Sequence, residues 1–196
     1  MSMTRSEELK SLHEKWSNEN TCALKHGATQ PVFGYGNPNA DIVFIGEAPG
    51  KKEDETGLPF VGAAGKFLDE MLQSIHMKRE DIYITNIVKY RPPDNRDPLP
   101  EEKDACREWL ISELTYIKPK LIVFLGRHAM SNFFPIEKIS DMHGTLITKK
   151  FPEIDTRFFL PLYHPAAALY NGRMRATLLE DFSQIPIMLS NIKATM

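Results

Sequence analysis

The chain has 196 residues, a formal net charge of −2 and two cysteines. That length suits one domain with a sizeable core, and two thiols far apart in sequence do not make a disulfide framework. A near-neutral balance does not supply the basic field that non-specific nucleic-acid binding uses, and no run is long and apolar enough to span a membrane.

In chain order, residues 5–17 predict an amphipathic helix with Leu9, Leu12 and Trp16 on one face. The N-terminus is polar and reads as no secretory signal, so a cytoplasmic setting is expected. Residues 1–30, this helix and a loop, are expected to pack on a single domain covering 1–196. Asp41–Ile45 is a short run rich in β-branched residues and predicts a buried strand. A glycine-rich acidic loop follows, from Gly46-Glu47-Ala48-Pro49-Gly50 through Glu53-Asp54-Glu55 to Phe60-Val61-Gly62. Glycines let backbone approach a ligand closely, while the acidic residues read equally as a solvated charge run. Helical spacing returns at 64–76 with Phe67, Leu68, Met71 and Leu72.

Ile82–Thr85 predicts a second strand ending in Asn86. Residues 91–100 are too rich in proline for helix or strand. Residues 101–117 predict another amphipathic helix, and Leu121–Leu125 a third strand that enters a helix through Gly126, Arg127 and His128. Residues 135–157 read either as a β-hairpin or as an irregular excursion. Phe158–Leu162 predicts a fourth strand ending in Tyr163-His164-Pro165, and Pro161 within it favours an edge or a bulge.

Strands alternating with helices predict an α/β three-layer sandwich, with a central, mostly parallel four-stranded sheet flanked by helices. Glu47, Asn86 and His164 then all lie at carboxyl ends of strands, where open α/β sheets form their ligand crevice. Scattered basic residues, Lys89, Arg91 and Arg96 after the second strand and Arg173 and Arg175 after the fourth, read either as a local rim or as ordinary surface. No set of His, Cys, Asp and Glu in these motifs has metal-ligand spacing, so no metal is expected.

Three segments together resemble family 4 of the uracil-DNA glycosylase superfamily: residues 46–62, Tyr83–Lys89 with Arg91-Pro92-Pro93 and Asn95-Arg96, and His164-Pro165-Ala166. The resemblance implies a monofunctional DNA repair hydrolase of base excision repair, which cuts the N-glycosidic bond of uracil, or of a related deaminated base, after flipping it out. The alternative is a non-catalytic binder of damaged or single-stranded DNA that kept the fold. The expected partner is uracil-containing DNA, with no membrane, and the protein is expected to be a monomer.

The resemblance implies roles residue by residue. Phe60 is the face for the base, Asn86 the reader of its edge, and backbone around Ala48 completes the pocket. His164 is the partner of uracil O2, either as imidazole or as imidazolium. Glu47 and Glu53 are the acidic catalytic pair, with Glu53 favoured for placing water. Lys89, Arg91 and Arg173 are expected to meet DNA, and Leu169 or Tyr170 to fill the gap left by the flipped base. The 91–100 loop is short and holds no histidine, which disfavours covalent trapping of the sugar. Family 4 enzymes typically hold a [4Fe–4S] cluster on four cysteines, but the matching positions here read Glu19, Cys22, Tyr90 and Cys106. The expectation is therefore no cluster and no cofactor.

Overall fold

The computed structural model describes residues 3–195. Four parallel strands carry its centre: Ile42–Gly46 (β2), Tyr83–Asn86 (β3), Leu121–Leu125 (β4) and Phe158–Leu162 (β6). Two short antiparallel strands close the edges, Tyr35–Gly36 (β1) against β3 and Ile147–Thr148 (β5) against β6. The sheet order is β1-β3-β2-β4-β6-β5. The expected four-stranded sheet is therefore the centre of a six-stranded one. Neither edge strand has enough residues to show a periodic pattern.

Burial explains why the four central runs are so uniformly apolar. Every residue of β2 and β4 is buried, because helices cover both faces of a parallel sheet. Val43, Ile45, Ile122 and Phe124 face the layer of Arg5–Glu19 (α1) and Pro100–Ile117 (α4). Ile42, Phe44, Leu121 and Val123 face Ala63–Ser74 (α3), Gly172–Ser183 (α7) and Ile185–Thr195 (α8). Pro161 pairs with Phe124 of β4 but lies beyond the two residues of β6 that pair with β5. Its missing N–H therefore interrupts no ladder on that side.

The acidic loop after β2 contains a six-residue helix, Lys51–Thr56 (α2), which no apolar periodicity announces. Its charge run has three different fates. Glu55 is exposed, Asp54 is buried and accepts from the Thr29 amide and hydroxyl at 2.9 and 2.7 Å, and Glu53 turns back onto the loop. A short helix, Arg127–Ser131 (α5), precedes the 135–157 excursion, which holds one one-turn helix, Ile139–Met142 (α6), then β5 and a single bridge from Phe151 to Ile154.

The chain runs from β2 to β3 on one side, then passes back across β2 to β4 on the other. The carboxyl ends of β2 and β4 thus flank the point where the winding reverses, which is where doubly wound sheets bind ligands.

Candidate active site

A cleft of about 370 Å³ opens at that edge. Glu47, Ala48, Glu53, Phe60, Asn86 and His164 all line it, so the structure brings together the six catalytic and substrate-binding residues that the sequence singled out. They come from the end of β2, the loop behind it, the end of β3 and the turn after β6.

Gly46 makes this convergence possible. A Cβ there would lie 2.4 Å from Asn86 Oδ1 and 2.5 Å from the tip of the Phe60 ring. Only glycine lets the amide and the ring close over the strand end. The ring also stands 5.9 Å from the His164 imidazole, centre to centre. Asn86 is almost completely buried, yet its amide oxygen has no hydrogen-bond partner. A buried acceptor left open is costly, and because Asn86 lines the cleft a donor entering there can satisfy it.

His164 is held as a neutral imidazole. Burial, the largest influence, pulls its pKa down to about 4; Glu53 opposes the shift and His128 adds to it. The Ala166 backbone N–H donates to His164 Nδ1 at 3.1 Å, which leaves the ring proton on Nε2. The choice that sequence left open between imidazole and imidazolium thus falls to an Nε2–H donor.

The two glutamates differ sharply. Glu53 Oε1 accepts from the amides of Val61 and Gly62 at 2.8 and 2.7 Å, and its Oε2 accepts from Gly50 at 3.1 Å. That carboxylate is pinning the loop that carries Phe60. No hydrogen bond reaches the Glu47 carboxylate among the described residues, and burial first, then the Asp97 charge, raise its pKa to about 7. Glu53 is thus engaged by three backbone amides, whereas the Glu47 carboxylate is left without a hydrogen bond.

Sequence reading missed the surroundings of Glu47. His128 Nε2 lies 3.9 Å from Glu47 and 3.0 Å from Asp97. These three side chains place ligand-type atoms within 4.8 Å of one another although their spacing in the chain suggests nothing. Arg127 already engages the group, with Nε 3.0 Å from His128 Nε2 and Nη2 donating to Asp97 at 3.2 Å.

Among the residues expected to meet DNA, Lys89 does not. It is 1% exposed, and its ammonium donates to Glu113 and Thr85, each at 2.5 Å, and to the Asn86 carbonyl at 3.1 Å. A lysine enclosed in this way cannot reach a phosphate; it braces the strand end that carries Asn86. Arg91 is partly buried and donates to Asn95 at 2.7 Å. Leu169 is exposed at 41% and Tyr170 at 93%, and Arg173 is exposed in the first turn of α7.

A doubly wound sheet thus carries a buried, unpaired amide and a neutral imidazole over one cleft. The chain belongs to the uracil DNA glycosylase superfamily, whose family model matches residues 33–184. It is 46% identical over 171 residues to a Type-4 uracil-DNA glycosylase of Archaeoglobus fulgidus, covering 84% of each chain. It is 40% identical to the Type-4 enzyme of Thermotoga maritima, covering 92% of this chain and 94% of that one. A Type-5 uracil-DNA glycosylase of Thermus thermophilus is 36% identical over about half of each chain.

These relatives overturn the expectation of no cofactor, because Type-4 glycosylases are the family that carries an iron–sulfur cluster. At the four corresponding positions this chain offers two thiols, Cys22 and Cys106, both fully buried. Tyr90 is buried and its hydroxyl accepts from Asn20 at 3.3 Å, while Glu19 is exposed and lies 3.7 Å from Lys15. A carboxylate and a phenol in two of four places do not match the thiolate set of a [4Fe–4S] cluster. Neither thiol lines the cleft.

Proposed function

We propose that this protein removes uracil from DNA by hydrolysing the bond between uracil N1 and deoxyribose C1′. Family membership supports the reaction class, and the unpartnered Asn86 amide oxygen is the observation that carries the substrate. Uracil presents N3–H and O4 side by side, which an amide can match with its oxygen and its NH₂. Cytosine presents the opposite pattern and leaves both groups of Asn86 unpaired, a mismatch that discriminates strongly.

The base leaves the stack, at a cost of a few kcal/mol, and enters against the Phe60 ring. As the glycosidic bond breaks, its electron pair passes to uracil and the sugar becomes oxocarbenium-like. The His164 Nε2–H donates to O2 as charge develops there, an oxyanion-hole contribution that acts mainly in the transition state. Water adds to C1′ and its proton passes to Glu47, whose pKa of about 7 suits a general base near neutral pH. Glu53 keeps the loop closed on the base. No lysine is among the residues lining the cleft, which supports hydrolysis without a Schiff base. Leu169 or Tyr170 fills the vacated stack, and Arg91 and Arg173 meet the backbone.

The test is base excision from single- and double-stranded oligonucleotides carrying uracil, hypoxanthine, xanthine or cytosine, followed as abasic-site formation. Uracil removal with cytosine untouched is expected. Tight binding of uracil-containing DNA with no base released would establish a binder instead. Release of hypoxanthine or xanthine in preference to uracil would refute the assignment of Asn86 to the uracil edge.

A further inference from the structure

We propose that Arg79 is a positioning residue for Phe60: a guanidinium clamp that holds the base-stacking ring in a backbone conformation its own residue type disfavours. The inference rests on the reading of Phe60 as the face of the uracil pocket.

Phe60 has φ +54°, in the left-handed region. Glycine visits that region readily, and asparagine and aspartate sometimes do; a bulky aromatic there is an outlier that surrounding structure must impose. Glu53 fixes the turn from the side of Val61 and Gly62. Arg79 fixes it from the other side. It stands in a single 3₁₀ turn, Arg79–Asp81, just before β3. Its Nη2 donates to the Phe60 carbonyl and, at 3.4 Å, to the Gly65 carbonyl. Its Nη1 donates to the Pro59 carbonyl at 3.2 Å. Its Nε donates to Asp69 on α3 at 2.5 Å, which locks the fork in register.

The first turn of α3 closes the remaining side. A Cβ on Gly65 would lie 1.8 Å from the Phe60 carbonyl oxygen, so the helix backbone sits directly on that peptide. The carbonyl is thus gripped between a guanidinium and a helix while the ring is carried over Gly46 toward Asn86 and His164. Were the peptide free to return to negative φ, the Cα–Cβ bond would swing and the ring would leave the cleft. A lysine cannot reproduce this grip, because a point charge cannot reach several carbonyls and a carboxylate in one plane.

The test is a double-mutant cycle between Arg79→Met and Phe60→Ala, read as single-turnover uracil excision with DNA in excess of its dissociation constant. A clamp that acts through Phe60 has little left to do once the ring is gone. Arg79→Met is expected to slow excision about tenfold in the native background and less than about twofold in the Phe60→Ala background, the non-additivity of residues working as a unit. Arg79→Lys, which keeps the charge and loses the fork, should behave like Arg79→Met and carries the cycle if the methionine variant does not fold. Equal slowing in both backgrounds would overturn the clamp and leave Arg79 a general structural residue, as would wild-type rates for both Arg79 variants. The reading beneath it fails separately: if Phe60→Ala alone excises at the wild-type rate, Phe60 is not the face of the pocket and the clamp has no function to serve.

Discussion

Asn86 and Lys89 are three residues apart and both buried, yet their polar atoms are treated in opposite ways. Around Lys89 every charge is answered. Glu113 receives Lys89 and Thr85 at 2.5 and 2.9 Å, the Tyr83 hydroxyl at 3.3 Å and the Gly34 amide at 3.4 Å, with His13 at 3.5 Å. Burial alone would raise the Glu113 pKa, but Lys89 and His13 outweigh it and hold the carboxyl below its usual range. Around Asn86 the amide oxygen is left open, and the nearby Glu47 carboxylate is unengaged. A charge-paired cluster fixes structure, whereas an acceptor left open beside a cleft carries a cost that an entering donor relieves. Here the first kind braces the second, since Lys89 also holds the Asn86 carbonyl.

The hardest break is on the charge-paired side. Glu113→Leu leaves the Lys89 ammonium buried without its counter-charge, and should cost about 3–5 kcal/mol of stability, measured by urea unfolding. Combining it with Lys89→Met should return much of that loss. A single-variant cost below about 1 kcal/mol would mean that the pair does not brace the fold.

On the open side, His164→Ala removes a donor that acts in the transition state. Single-turnover excision should fall about 10²–10³-fold with DNA affinity little changed. An unchanged rate would remove His164 from the chemistry.

A smaller effect separates the glutamates. Glu47 must be ionised to accept a proton, so the single-turnover rate should climb through about pH 7 and lie about tenfold below its plateau near pH 6. His164, with its pKa near 4, stays neutral across this range and adds no limb. Asp97→Asn removes a negative neighbour, so Glu47 releases its proton more readily and the limb should move to lower pH. The charges facing Glu47 are Asp97, Arg127, Lys103 and, when protonated, His128. A limb unmoved by Asp97→Asn but abolished by Glu53→Gln would return the water to Glu53.

The smallest effect lies at the rim. Arg173→Ala should weaken DNA binding uniformly across sequences and reduce the salt slope by about 0.9, the share of one phosphate contact. An unchanged slope would take Arg173 out of the interface.

The four central strands and α1, α3 and α4 were legible because each presents a continuous apolar run or a 3.6-residue stripe to a covered face. The two edge strands and α2 were not, since two residues, or six charged ones, carry no period. The convergence of Glu47, Asn86 and His164 followed from their places at strand ends, and Phe60 was added by the family resemblance. What each side chain does there depended on partners far away in the chain. Lys89 reads as surface until Glu113, on α4, is placed beside it. Glu53 shows no loop-bracing role until the amides of Val61 and Gly62 fold back onto it. Arg79 gives no sequence signal, because its task is set by the dihedral angle of a residue nineteen positions earlier.

The central claim is that Asn86 is unsatisfied because it waits for uracil, and Asn86→Ala measured for both stability and excision tests it most directly. The account predicts urea stability unchanged or slightly raised, since an unpaired buried amide is lost, together with a fall in uracil excision of about a hundredfold or more. Excision at the wild-type rate, or a stability loss of about 1–3 kcal/mol with the remaining folded enzyme fully active, would contradict it.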